Sequence, residues 1–143
     1  TDSVLPYFEY GGGVIALCRT SNPGGDDLQS LVADGRPVYA HVARLVADDW
    51  ATRGDCGLVV GATYPQELAD VRTIAPDVPL LVPGVGAQGG DAATVVEHGA
   101  DSGGRGLIVN SSRAVLYASG GDDFADAARA EAERTAATLR VLA

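Results

Sequence analysis

The residues best suited to chemistry in this chain are an arginine, Arg113, and a glycine-rich run that reads Pro83-Gly84-Val85-Gly86-Ala87-Gln88-Gly89-Gly90-Asp91. Glycines let a backbone approach a ligand closely, and amides that open a helix attract anions. Gln88 adds a side-chain amide able to donate to a phosphate or to pair with a base or sugar. Arg113 ends the segment Asn110-Ser111-Ser112-Arg113, and its guanidinium can fork onto phosphate oxygens. Two segments with complementary anion chemistry point to a phosphorylated small molecule. Gly84-x-Gly86-x-x-Gly89 also matches a dinucleotide fingerprint, a weak signal by itself. The plain alternatives are a ligand-free strand-to-helix turn and an arginine that pairs with one of the many acids. A third segment, Arg19-Thr20-Ser21-Asn22-Pro23-Gly24-Gly25, offers hydroxyl and amide groups suited to the edge of a heterocycle, followed by Pro-Gly turn chemistry. Read alone, it is a turn that caps the next helix, with Arg19 paired to an acid on a neighbouring element.

These segments need elements to position them. Four short apolar runs recur, 14–18, 57–60, 78–82 and 106–109, each continuous rather than alternating, as in parallel strands covered on both faces. Helical patterns are expected over roughly 26–51, 64–75, 90–99 and 122–140, with a short helix over about 3–10 in front. The result is a βαβαβαβα order, found in doubly wound open sheets and in (β/α)8 barrels. A complete barrel takes about 250 residues, so four units in 143 residues would be half of one. In either architecture the functional loops follow the C-terminal ends of the strands, here 19–25, 61–65, 83–90 and 110–120. No linker or domain boundary interrupts residues 1–143.

Composition narrows the partners. With 46% hydrophobic residues the chain can bury a real core, and a net charge of −9 disfavours nucleic-acid polymers. No apolar run approaches the roughly 20 residues of a membrane span, and no basic-then-apolar leader is present, so a cytoplasmic, intracellular protein is expected. All 10 basic residues are arginines, so a mechanism that needs a titrating amine must borrow one from outside these residues. Cys18 and Cys56 are expected as reduced thiols. His41 and His98 have no metal-ligand spacing around them, and Asp26-Asp27 and Asp122-Asp123 read as helix caps. Trp50 reads as an aromatic packing the end of its helix.

The quoted segments, together with Gly57-Leu58-Val59-Val60-Gly61-Ala62-Thr63 and Leu81-Val82, resemble orotidine 5′-phosphate decarboxylase, in the longer bacterial-type branch that some protozoa carry fused to orotate phosphoribosyltransferase. The likeness spans essentially the whole chain in order. It implies a (β/α)8 barrel of which residues 1–143 are the C-terminal half, strands five to eight. It also implies an enzyme without cofactor or metal that converts orotidine 5′-phosphate to UMP and carbon dioxide. By the family's motifs, Ser21 would contact the pyrimidine amide edge and Gln88 would bridge phosphate and base. Arg113, with amides near Gly86 and Ser112, would hold the phosphate, and Pro83 would wall the carboxylate side. Some relatives have glycine where this chain has Ser112. The family's proton donor is a lysine in an Asp-x-Lys-x-x-Asp motif, with one aspartate supplied by the second subunit of a dimer. This chain has neither the motif nor a lysine. The resemblance therefore implies a complementary N-terminal half-barrel and a homodimer, with a fused phosphoribosyltransferase as a further option. Residues 1–143 alone are then expected to be inactive, supplying remote binding energy that acts at the reacting centre.

Two other readings stand beside it. One is a small oxidoreductase domain that uses Gly84-x-Gly86-x-x-Gly89, with Arg113 on an NADP 2′-phosphate. The other is a non-catalytic half-barrel that dimerises and binds phosphates generically.

Overall fold

The computed structural model describes residues 1–86 and 90–140. The chain begins with α1 (Leu5–Glu9) and enters the sheet through β1 (Val14–Arg19). A 3-10 turn (Pro23–Gly25), α2 (Asp26–Gln29) and a hairpin of β2 (Val32–Ala33) and β3 (Arg36–Pro37) lead into α3 (Val38–Asp48). Then come β4 (Cys56–Val60), α4 (Pro65–Ile74), β5 (Leu80–Pro83), α5 (Ala92–Gly99), β6 (Leu107–Asn110), α6 (Arg113–Leu116) and α7 (Phe124–Arg140). The four long strands form one parallel sheet in the order β1-β4-β5-β6. This is the α/β order expected from the sequence, with strand neighbours following the chain.

One expectation fails: the single helix over 26–51 is broken in two. Asp34 and Gly35 both have positive φ, 48° and 75°, the backbone of a two-residue hairpin turn with an Asp-Gly tip. Val32 pairs with Pro37 and Ala33 with Arg36, so the hairpin is two rungs long. Pro37, which lacks an N–H, then sits at the N-cap of α3 in an extended conformation. The short helix α6 was also not foreseen within the loop 110–120.

The core lies between the sheet and α3, α4 and α5. Val60, Leu58, Leu80 and Val82 of the strands meet Ala43, Val46, Leu68 and Val71 of the helices with no residual exposure. Each such Val or Leu contributes about 1.5–3 kcal/mol of burial. The opposite face of the sheet differs. There the register aligns Leu17, Val59, Leu81 and Ile108 in one row, and Leu17 and Ile108 are 61% and 49% exposed. The strands were expected to be covered on both faces, but among the described residues helices cover one. A continuous apolar run records that both faces want cover without saying which element provides it.

At the N-terminal ends of the strands a partly buried arginine acts as a clamp. Arg72 of α4 donates to the carbonyls of Gly99, Ala75, Pro76, Val78 and Gly106, at 2.8 to 3.1 Å. One side chain thereby joins the C-terminal ends of α4 and α5 to the residues that lead into β5 and β6. Cys18 and Cys56 are both free thiols. Among the described residues no helix is long and apolar enough to cross a membrane, and no group of three metal-ligating side chains forms.

Candidate functional site

Parallel strands bring their C-terminal ends to one rim, so the segments that follow β1, β4, β5 and β6 are neighbours. Pro83 pairs in register with Asn110, which fixes the glycine-rich segment beside the one that carries Arg113. The two segments touch. Ser111 Oγ donates to the Val85 carbonyl at 3.2 Å, and a methyl group on Gly86 would stand 3.3 Å from Ala114 Cβ. Gly84 and Gly86 take positive φ, 95° and 82°, a conformation that favours glycine. Gly90 packs so closely on the segment after β4 that an added Cβ would lie 2.4 Å from Ala62 Cβ.

Arg113 opens α6 and is exposed; the described ion pairs of arginine involve Arg19, Arg53 and Arg134 instead. Its guanidinium is therefore available to an anion, while Ser112 Oγ is held by Asn110 Oδ1 at 3.0 Å. Two expected anion donors are already engaged. The amide of Gly86 donates to the Gly90 carbonyl at 2.9 Å. The start of α5 is capped by Asp91, whose carboxylate accepts from the Thr94 amide and hydroxyl, both at 2.8 Å, and is held below the usual carboxylate range by those bonds. A carboxylate at that helix terminus does the work an external anion would do. Gln88 and Gly89, the remaining donors foreseen here, lie outside the described residues.

The segment after β1 is built differently. Ser21 packs against Gly61, where an added Cβ would stand 1.9 Å from Ser21 Oγ. Ser21 Oγ and, after β4, Thr63 Oγ1 are buried hydroxyls with no hydrogen-bond partner among the described residues. Buried hydroxyls without partners are costly, about 1–3 kcal/mol each, and satisfying them is what a polar ligand would do. Nothing in the sequence singles out Thr63, because an unpaired hydroxyl leaves no mark in residue spacing.

Arg19, expected to pair with an acid, does so twice. Its Nη2 lies 2.6 Å from Asp26 Oδ1 and 3.5 Å from Glu67 Oε1, and its guanidinium stacks 4.2 Å from the Tyr64 ring centroid. Burial opposes its charge, but the Asp26 and Glu67 carboxylates outweigh that and raise its pKa above the usual arginine value. Asp26 accepts the Ser30 hydroxyl as well as Arg19 and is lowered from the ordinary carboxylate value by both. The other minor candidates are structural. His41 Nε2 meets the Ala33 carbonyl at 2.7 Å, and Trp50 Nε1 donates to Thr1 Oγ1 at 3.2 Å. Asp123 accepts from Ser119 Oγ at 2.5 Å just before α7.

A hollow of about 570 Å³ adjoins this rim, lined by Gly86, Ala114 and residues of α7 that include the paired Glu131 and Arg134. Another, of about 630 Å³, lies at the opposite end of the strands, where Asp48, Asp55 and Asp77 line it beside Ala47, Cys56, Pro76 and Pro79; its charged side chains are all acidic, which does not suit an anion.

Comparison with known proteins bears on the family and the fold. Residues 3–130 match the model of the orotidine 5′-phosphate decarboxylase / HUMPS family. An orotidine 5′-phosphate decarboxylase of Bordetella pertussis (strain Tohama I) is 64% identical over 130 residues, which is 89% of this chain and 48% of that protein. One from Janthinobacterium sp. (strain Marseille) is 59% identical over 135 residues, 94% of this chain and 50% of that protein. Among solved structures, Leishmania donovani UMP synthase superposes with a TM-score of 0.83 at 40% identity, covering 96% of this chain and 31% of that one. Leishmania donovani OMP decarboxylase gives a TM-score of 0.80 at 36% identity, covering 96% of this chain and 52% of that one. The chain thus spans about half the length of the curated relatives it matches. The sequence match, the parallel α/β fold and the rim of facing loops lead to one assignment: the chain belongs to the orotidine 5′-phosphate decarboxylase / HUMPS family.

Proposed function

We propose that this chain grips the phosphate and pyrimidine of orotidine 5′-phosphate for its decarboxylation to UMP. In this reading residues 1–143 are the C-terminal half of the barrel. The observation that carries it is the pairing, at one rim, of an exposed Arg113 that makes none of the described ion pairs with the buried hydroxyls of Ser21 and Thr63, which have no partner among the described residues. Arg113 and the Ser112 amide hold the phosphate, and Ser21 meets the amide edge of the pyrimidine. Pro83 walls the carboxylate side, and Gln88 bridges phosphate and base.

The proton donor is a different matter, because the chain has no lysine. The Lys/Asp groups come from outside these residues, on the complementary half that covers the exposed row from Leu17 to Ile108. Among the described residues the outer edges of β1 and β6 have no strand partner, which supports that completion, since open parallel edges are hazards unless paired. The complete barrel works as a cytoplasmic homodimer without metal or cofactor, and one solved neighbour, Leishmania donovani UMP synthase, keeps a fused phosphoribosyltransferase open as an option. Phosphate binding at Arg113 supplies energy that the chemical step uses elsewhere in the site.

Calorimetric titration with UMP tests the grip. Arg113→Ala should weaken UMP binding about 100-fold, the scale of a lost bidentate arginine–phosphate contact. Orotidine 5′-phosphate added to the chain alone should show no turnover. Unchanged affinity in the variant, tighter binding of NADPH than of UMP, or turnover by the chain alone would each overturn the reading.

A further inference from the structure

The end of β1 breaks the alternation of its own strand. From Val14 to Leu17 the residues alternate between the helix side and the open side, and then Cys18 and Arg19 are both buried. The cause is a bulge: Leu17 pairs with Val59, but the next partner of β4, Val60, is opposite Arg19 rather than Cys18. Bulges re-aim side chains beside functional sites. Here the bulge takes Arg19 off the open face that alternation would give it and drives it under the helices, where its side chain is 2% exposed.

Once there, Arg19 joins two segments of the rim. On one side it holds Asp26 and donates to Gln29 Oε1 at 3.4 Å. That same Gln29 oxygen accepts the Thr20 amide at 2.9 Å and the Thr20 hydroxyl at 3.1 Å, immediately before Ser21. On the other side Arg19 meets Tyr64 and Glu67, which follow β4 and open α4. Gly25 closes the assembly: an added Cβ would lie 2.7 Å from Thr20 Oγ1 and 3.3 Å from Arg19 Nη1. The polar pair Ser21 and Thr63 therefore stands on segments whose spacing one guanidinium sets.

We propose that Arg19 is a positioning residue for pyrimidine recognition, holding the segment after β1 against the segment after β4 so that Ser21 Oγ stays fixed over Gly61. This role rests on the assignment of Ser21 to the pyrimidine. A lysine cannot replace it, because one ammonium lacks the planar fork and the stacking face that reach Asp26, Gln29 and Tyr64 together.

The test compares two probes on the same chain, UMP and ribose 5-phosphate, which share the phosphate and differ in the base. Arg19→Lys should weaken UMP about tenfold, the scale of one misaligned hydrogen bond, while ribose 5-phosphate affinity stays within twofold. Gln29→Ala, which leaves the Arg19–Asp26 pair intact, should shift the same ratio in the same direction by a smaller factor, and it decides the matter if the lysine variant does not fold. Equal weakening of both probes would mark a merely structural arginine and overturn the proposal, as would an unchanged UMP preference in the variant that folds. A parent chain with no preference for UMP over ribose 5-phosphate would instead remove the nucleotide reading, and this role with it. Retained preference in the parent and lost preference in the variants is the expected result.

Discussion

Replacing Arg72 with methionine should cost about 4 kcal/mol of stability, well above the cost of an ordinary substitution. The methionine keeps most of the packing volume but removes every donor to five main-chain carbonyls. Two of those carbonyls keep a second partner, since Gly106 O also accepts the Leu80 amide and Ala75 O the Val78 amide. Pro76 is exposed and its carbonyl can take water. Gly99 and Val78 are buried, and their carbonyls would be stranded. Two stranded acceptors at about 1–3 kcal/mol each give the figure, and burial of the guanidinium, which lowers its pKa, offsets part of what is lost. For a chain of this size that corresponds to a fall of roughly 8–16 °C in Tm. Urea and thermal denaturation followed by circular dichroism would measure it, with UMP affinity of the folded variant expected to stay within twofold because Arg72 sits at the end of the strands away from Arg113. A loss under about 1 kcal/mol would show that water satisfies these carbonyls as well as the arginine does, and the clamp argument would fail.

Gly61→Ala should disturb the rim more than the core: a Cβ 1.9 Å from Ser21 Oγ and 2.9 Å from the Ser21 amide forces the segment after β1 to move. The expected cost is about 1–3 kcal/mol of stability, together with a UMP affinity reduced at least tenfold in the same calorimetric titration. Stability should also fall in alkali. Burial pushes the Cys18 thiol from 9.0 up to about 12, and burial followed by the Asp70 carboxylate pushes the Tyr39 hydroxyl from 10.0 up to about 12. Both groups are neutral in the fold and ionise more readily when unfolded, so their contribution is whole below pH 9 and is lost as the pH rises towards about 12. Urea midpoints measured between pH 8 and 11 should decline, and Cys18→Ala with Tyr39→Phe should flatten that decline; a flat profile in the parent would refute the assignment.

The fold was legible where one kind of signal dominated. Continuous apolar runs marked all four strands of the parallel sheet, and the segments after them meet at one rim. The hairpin was missed because apolar spacing across 26–51 outweighed a two-residue punctuation mark, Asp34-Gly35, whose positive φ values are the reason a helix cannot pass. In the site, Arg19 was correctly read as an ion-pair partner, but its burial depends on a bulge, which residue types do not encode. Asp91 shows the opposite limit: the glycine-rich segment suggested free amides at the start of α5, yet a carboxylate of the same chain caps that terminus. Ser21 and Thr63 stand out by hydrogen bonds they lack among the described residues, which residue types do not encode.

The hairpin that split the expected helix also bears on how the chain tolerates length. Among the described residues nothing lies within 4 Å of where a Cβ on Gly35 would be, and the tip belongs to a separate two-stranded sheet. Extra residues inserted there would meet solvent, and doubling a loop costs only about 0.6 kcal/mol in closure entropy. The turn after β1 has no such freedom, because Gly25, Thr20 and Arg19 leave no room for one added methyl. Within a single connection of the sheet, one bend can lengthen freely while the other is held to its present size.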